Sequence, residues 1–122
     1  INELGYYNSA GFAEKYGSFI DEVRRIQPGA IIYAQSLVPV NPDKCKASGQ
    51  PDWLNNEGIA GYNAALQQMC QEKQVVYLNI SEALVDANGT LPAEATVDGL
   101  HFTRDWYKKW LDYLMNHTVA QP

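Results

Sequence analysis

The chain has 122 residues, of which 46% are hydrophobic and 19% are charged, and its formal net charge is −5. This length and composition predict one folded domain with its own core and exclude a disordered chain. The acidic balance argues against a surface for nucleic acid or anionic membranes, and no apolar run reaches the roughly 18–20 residues of a membrane span.

A helix and a strand are predicted in the first third of the chain. Residues 9–27 place apolar side chains at three- and four-residue steps, with Ser9 as N-cap and Pro28-Gly29 as the stop. The apolar stripe consists of Phe12, Tyr16, Phe19, Ile20, Val23 and Ile26. Residues 30–35 are almost continuously apolar, which is typical of a strand covered on both faces, as in a parallel sheet.

A long loop and a second helix–strand pair follow. Residues 37–56 contain three prolines and several Asn and Asp residues, so we expect a loop of about twenty residues with a functional role. Residues 57–73 predict a helix, and residues 75–79 predict a second buried strand. The buried side of this helix is predicted to carry Ile59, Tyr62, Leu66, Met69 and Cys70.

The last third predicts turns and a terminal helix. Residues 81–85 are expected to form a helical turn, and Asn88-Gly89 is a turn signal. A helix is predicted over residues 104–116, with Thr103 as its N-cap. Its inward side chains are predicted to be Trp106, Trp110, Leu111 and Leu114.

The order of these elements predicts the fold class. Strands that alternate with helices indicate βαβ units, an α/β fold with a parallel sheet and helices on both sides, in three α/β/α layers. Only two complete strands are present, with residues 1–4 as the tail of a third. Because so small a sheet leaves an unpaired edge, we interpret residues 1–122 as the C-terminal part of one doubly wound, flavodoxin-like domain whose N-terminal half is absent.

The two cysteines carry little functional signal. Cys45 lies in the predicted polar loop and Cys70 in a predicted helix, without the spacing of a metal site. Two unrelated thiols are the simpler expectation, although one disulfide remains open. The cellular compartment is also left open, with extracellular and cell-surface locations included.

The sharpest chemical feature is Asp98-Gly99-Leu100-His101, in the loop before the terminal helix. An Asp carboxylate that accepts from one imidazole nitrogen fixes the tautomer, and the other nitrogen can then take a proton from a serine. The alternative is a simple turn, in which Asp98 satisfies local amides and His101 packs at the start of the helix.

Two further polar residues are placed where strands are predicted to end. Asn2 could donate its side-chain amide to a developing oxyanion, or simply make a loop turn. Ser36 follows the predicted strand of residues 30–35 but lacks the G-x-S-x-G elbow of a nucleophile. We therefore expect Ser36 to line a substrate site rather than to attack the substrate.

Together these segments resemble the SGNH hydrolase family, also called the GDSL esterase/lipase family. Ile1-Asn2-Glu3 is similar to the family's third block, G-x-N-D, with Glu in place of Asp and without the Gly. Residues 98–103 resemble its fifth block, D-x-x-H, in the common form Gly-Leu-His-Phe-Thr, and residues 33–40 resemble the strand that leads to its substrate loop. The resemblance covers the whole chain.

The resemblance implies a serine ester hydrolase. His101 would be the general base, Asp98 its orienting carboxylate and Asn2 an oxyanion donor. The family's nucleophilic serine and block-two glycine have no counterpart here and would lie upstream, so the partner implied is the missing N-terminal half, as a separate segment or chain. The substrate would be a small ester, such as an acylated sugar or a lipid ester, and no metal or organic cofactor is implied.

The aromatic residues outside the helix stripes suggest where a substrate would lie. Tyr6, Tyr7 and Trp53 are in predicted loops near the presumed site, so they are the candidates for substrate contact. The competing interpretation is a module without catalysis, which uses the same fold and these aromatics to hold a carbohydrate or a protein. The absent nucleophile favours that interpretation, and the Asp98 and His101 pattern opposes it.

Overall fold

The computed structural model describes residues 1–119 as alternating helices and strands. The helices are α1 (Ser9–Ile26), α2 (Pro42–Ala47), α3 (Asn56–Lys73) and α4 (Arg104–His117), and the strands are β1 (Tyr33–Gln35) and β2 (Val76–Leu78). Short 3-10 helices occupy Asn2–Gly5, Ile80–Ala83 and Ala93–Ala95. No helix among the described residues is both long and apolar enough to cross a bilayer.

The two strands form a small parallel sheet with helices on both faces. Tyr33 pairs with Val76 and Gln35 with Leu78. Side chains alternate between faces along a strand. Ala34 is fully buried in the core that α1 and α3 cover, whereas Gln35 accepts a 2.7 Å hydrogen bond from the Trp110 indole of α4. The predicted α/β class and its three layers are therefore confirmed.

The core consists of two clusters. The first lies between α1, α3 and the sheet, and Gly17 of α1 faces Met69 and Lys73 of α3. The second is built from Val40, Cys45, Leu54 and Ile59. Ile1, Leu4 and Leu100 pack against this second cluster. The N-terminal segment and the loop of residues 95–103 thus share one hydrophobic base.

The start of the chain differs from the prediction. Residues Asn2–Gly5 form a 3-10 helix and not the tail of a strand, and the Glu3 carbonyl accepts from the N–H groups of Tyr6 and Tyr7. The N-cap of α1 is Asn8 and not Ser9, since the Asn8 side chain accepts a 2.7 Å hydrogen bond from Gly11 N–H. Asn and Ser are similar caps, so sequence preference alone does not separate them.

The predicted loop of residues 37–56 contains a helix. Asn41 caps the N-terminus of α2, and Pro42 occupies the first turn, where its missing N–H costs nothing. Cys45 is therefore a buried helix residue rather than part of a polar loop. Cys45 and Cys70 are free thiols in separate core clusters, as the simpler expectation had it.

Some residues of the predicted helix stripes are exposed. Phe19 and Ile26 on α1 are 65% and 59% exposed, and Leu111 on α4 is 55% exposed. The predicted buried side of α3 is confirmed in full. Thr103 precedes α4 as predicted, but its buried hydroxyl makes no hydrogen bond within residues 1–119. Periodicity identified the helices correctly but overestimated how much of α1 and α4 this chain covers.

Candidate active site

The loop of residues 95–103 is closed at its base by backbone pairing. Thr96 and Phe102 form an antiparallel bridge, and the Thr103 N–H donates to the Ala95 carbonyl at 2.7 Å. Gly99 at the tip has a φ of +99°, which favours glycine. The loop therefore returns on itself within a few residues and brings Asp98 beside His101.

The Asp98 carboxylate organises the loop. Its Oδ1 accepts from the backbone N–H groups of Leu100, at 3.0 Å, and His101, at 2.9 Å, and from the Thr96 hydroxyl, at 3.3 Å. Its Oδ2 lies 2.5 Å from Nδ1 of His101. One side chain thus both satisfies local amides and binds the imidazole.

The pKa of the Asp98 carboxyl lies well below its usual range. Partial burial raises this pKa, but the hydrogen bonds from the His101 ring and from the His101 and Leu100 N–H groups together outweigh it. The charge of His101 adds to the lowering. Asp98 is therefore ionised at neutral pH and acts as an acceptor toward Nδ1–H of His101.

His101 presents the other side of its ring to solvent. Its side chain is 72% exposed, so it does not pack at the start of α4. Because Nδ1 is bound to an ionised carboxylate, the neutral ring carries its proton on Nδ1 and a lone pair on Nε2. A group of this kind can accept a proton from an adjacent hydroxyl.

The Asn2–Gly5 segment is held by contacts to its backbone. The Tyr62 hydroxyl of α3 donates to the carbonyls of Glu3, at 3.1 Å, and Tyr7. The Trp53 indole covers Gly5 so closely that a Cβ there would lie 2.8 Å from the ring. The Asn2 side chain is exposed on this segment.

Three of the predicted substrate-contact residues gather around this segment, and one does not. Trp53, Tyr6 and Tyr7 are 42%, 81% and 37% exposed. Ser36 is only 4% exposed, and its hydroxyl lies 3.0 Å from the Ser81 hydroxyl. Ser36 therefore closes an internal hydroxyl pair and presents little surface to a ligand.

Sequence reasoning missed a set of asparagines that fix the segment after β1. Asn63 and Asn56 of α3 each accept from and donate to one backbone residue, Leu37 and Val40, at 2.7–3.1 Å. Asn41 similarly bonds to Lys44 N–H and to the Leu91 carbonyl. The available signal was the seven-residue spacing of two Asn side chains on one helix face.

A resident metal finds no obvious ligand set in the described part of the chain. No three His, Cys, Asp or Glu side chains of residues 1–119 come together in a metal-binding arrangement.

The comparison with protein families identifies the family of this chain. The model of the GDSL-like lipase/acylhydrolase family matches residues 1–109. The chain belongs to this family. The match contains both segments of the candidate site, the Asn2–Gly5 helix and the loop of residues 95–103. A search of curated proteins found no significant match.

Two solved structures have a similar fold. A protein from Streptococcus pneumonia, provisionally described as a platelet activating factor, superposes with a TM-score of 0.77 at 27% identity, over 86% of this chain and 49% of its own. The esterase domain of the zebrafish ZfL2-1 retrotransposon ORF1 protein has a TM-score of 0.69 at 20% identity, over 94% and 65%. The chain thus spans 49% of the first structure and 65% of the second.

Proposed function

We propose that this chain supplies the acid–base half of a serine ester hydrolase. The observation that carries the proposal is the 2.5 Å contact between Asp98 Oδ2 and His101 Nδ1, in a loop where the backbone N–H groups of Leu100 and His101 donate to the same carboxylate. Membership of the GDSL-like lipase/acylhydrolase family supports the reaction class.

In the proposed reaction His101 is the general base and Asp98 orients it. Nε2 takes the proton of a serine hydroxyl as the serine oxygen attacks the ester carbonyl carbon, and Asp98 stabilises the resulting imidazolium. The Asn2 amide donates to the developing oxyanion. His101 returns the proton to the leaving alcohol, and water then releases the acid from the serine by the same steps.

The nucleophile is proposed to come from the rest of the domain, seated against the free edge of β1. Phe19 and Ile26 of α1 are 65% and 59% exposed. On α4, Tyr107, Leu111 and Met115 are 46–69% exposed and face away from Tyr113, which bonds to Glu82 after β2. Such exposed apolar stripes are expected where further strands and helices pack.

The aromatic residues suggest the substrate class. Trp53, Tyr6 and Tyr7 present partly exposed rings around the segment that carries Asn2. Such rings suit the apolar faces of a small ester, either an acylated sugar or a lipid ester. The proposed chemistry needs no cofactor.

The test joins this chain to the nucleophile-bearing half of a family member and treats the fusion with a fluorophosphonate. Intact-mass spectrometry should find one adduct, on the supplied serine, and hydrolysis of p-nitrophenyl acetate should accompany it. His101→Gln should abolish both. His117→Gln is the matched control, because His117 is also exposed but stacks on Tyr113 at the far end of α4.

Each other result contradicts a defined part of the proposal. An adduct on a serine of residues 1–119 would mean that the assigned roles are wrong. A folded fusion without an adduct, or equal losses in the two histidine variants, would reject catalysis and favour a module that binds a carbohydrate or protein.

A further inference from the structure

The turn at Gly99 rests directly on α2. The Gly99 carbonyl accepts a 2.8 Å hydrogen bond from Asn41 N–H, and the Gly99 N–H donates to the Thr96 hydroxyl at 3.0 Å. A Cβ on Gly99 would lie 2.4 Å from Cys45 Sγ and 2.6 Å from Cys45 N. The residue between Asp98 and Leu100 is thus in contact with the first turn of α2 on its inner side.

The Asn41 side chain connects this first turn to the chain that leads into the loop. Its Nδ2 donates to the Leu91 carbonyl at 2.8 Å, and its Oδ1 accepts from Lys44 N–H at 3.0 Å. Leu91 is 1% exposed and precedes the Ala93–Ala95 helix that runs into Thr96. Asn41 therefore contacts both the tip of the loop, through its backbone, and the approach to its base, through its side chain.

We infer that Asn41 is a positioning residue, which holds the Gly99 turn in register with residues 91–95 and so keeps the Asp98 carboxylate facing His101. This inference rests on the proposed function. Asn41 touches neither of the reacting groups and acts through Gly99 and Leu91. A hydrogen bond between buried partners costs free energy when one partner is removed, so the loop should open more often without the Nδ2 donor.

Asn41→Ser separates this role from helix capping. Serine keeps a cap for Lys44 N–H but cannot reach the Leu91 carbonyl. Asn55→Ser is the matched control, because Asn55 caps α3 by accepting from Gly58 N–H at 2.8 Å and donates to the Asp52 carbonyl at 2.9 Å, away from Gly99. The two variants lose the same types of bond.

Nuclear magnetic resonance on the 122-residue chain gives the first readout. Asn41→Ser should broaden or remove the downfield Nδ1–H signal of His101 and speed exchange of the Leu100 and His101 amides about tenfold, the effect of one hydrogen bond. Asn55→Ser should leave all three signals as in the wild type. In the active fusion, Asn41→Ser should lower kcat at unchanged KM.

Unchanged loop signals in Asn41→Ser, or equal changes in Asn55→Ser, would overturn the inference. If Asn41→Ser does not fold, Asn41→Asp serves instead, since it keeps the cap and replaces the Nδ2 donor with a carboxylate oxygen. If the fusion does not hydrolyse the ester but the His101 signal still changes in Asn41→Ser, the proposed function is rejected and the positioning role of Asn41 is supported. If hydrolysis is lost in His101→Gln but the loop signals do not change in Asn41→Ser, the proposed function is supported and the positioning role is rejected.

Discussion

The two segments that carry the proposed catalytic side chains are held in different ways. In the loop of residues 95–103, the functional side chain of Asp98 is itself the centre of the hydrogen bonds. In the Asn2–Gly5 helix, Tyr62 bonds to the Glu3 carbonyl and Trp53 covers Gly5. The Leu4 side chain packs against the second core cluster, while the Asn2 side chain is exposed. Directional bonds therefore fix the first side chain, and packing fixes only the backbone beneath the second.

This contrast indicates which part of the proposed site is preorganised. The Asp98 carboxylate and the His101 imidazole are oriented by residues of the 95–103 loop and by α2. The Asn2 segment depends on Tyr62 of α3 and on the Trp53 ring, which come from elsewhere in the chain. We expect the loop to keep its geometry when the N-terminal segment is disturbed, and the variants below test that expectation.

Asp98→Asn should have the largest effect. In the active fusion we expect kcat to fall about 10³–10⁴-fold, because an amide can no longer hold the Nδ1–H tautomer and stabilise the imidazolium. Steady-state hydrolysis of p-nitrophenyl acetate measures this loss. Asp86→Asn is the control, since Asp86 also accepts several loop hydrogen bonds, from Asn88 and Thr90, without a histidine. A similar loss in both variants would contradict the assignment of Asp98.

Gly99→Ala should be the most destabilising small change in the loop. The new Cβ would meet Cys45 at 2.4 Å and occupy a φ of +99°, so we expect a loss of about 2–4 kcal/mol in the free energy of unfolding. Gly89→Ala shares a positive φ, of +74°, but has nothing within 4 Å, and should lose about 1 kcal/mol. Urea unfolding compares the two, and equal losses would mean that the Cys45 contact is not limiting.

Much of the loop could be predicted from the sequence because its determinants are local. Asp98 and His101 are three residues apart, and Gly99 between them can adopt the positive φ that the tight turn requires. The helices and strands were predicted for the same reason, since their apolar periodicity is a property of neighbouring residues. These local patterns found the three long helices, the two strands and the Asp98–His101 contact, and the catalytic roles are proposals.

The rest depends on contacts between residues far apart in the chain. Helix α2 was missed because Pro42 and the prolines on either side of the helix favour a loop interpretation. Its support comes from Gly99, more than fifty residues later. The Ser36 hydroxyl contacts Ser81, which is 45 residues later in the chain. Phe19 and Leu111 are exposed because no other described part of the chain covers them. No single window of sequence contains these pairs.

Trp53→Ala tests the packed half of the comparison. Removing an indole that covers Gly5 should cost about 1–2 kcal/mol in unfolding free energy, because only part of the ring is buried. Tyr6→Ala removes a ring that is 81% exposed and should change stability by less than about 0.5 kcal/mol. The Nδ1–H signal of His101 should persist in both variants. Its loss in Trp53→Ala would show that the two segments are coupled after all.

The smallest predicted effect is on the free energy of unfolding at acidic pH, and its sign follows from the pKa of Asp98. Hydrogen bonds in the folded loop lower that pKa below its unfolded value of about 3.9, so Asp98 stabilises the fold above that pH, and the contribution is lost as pH falls through the folded pKa. The difference in unfolding free energy between the wild type and Asp98→Asn should therefore be constant above about pH 5 and shrink below about pH 4. Asp86, whose pKa is lowered by the hydrogen bonds from Thr90 and Asn88, is present in both proteins and cancels in the difference. A difference that stays constant down to acid unfolding would mean that the carboxylate is not bound more tightly in the folded loop than in the unfolded chain, and the loop would then be no better prepared than the Asn2 segment.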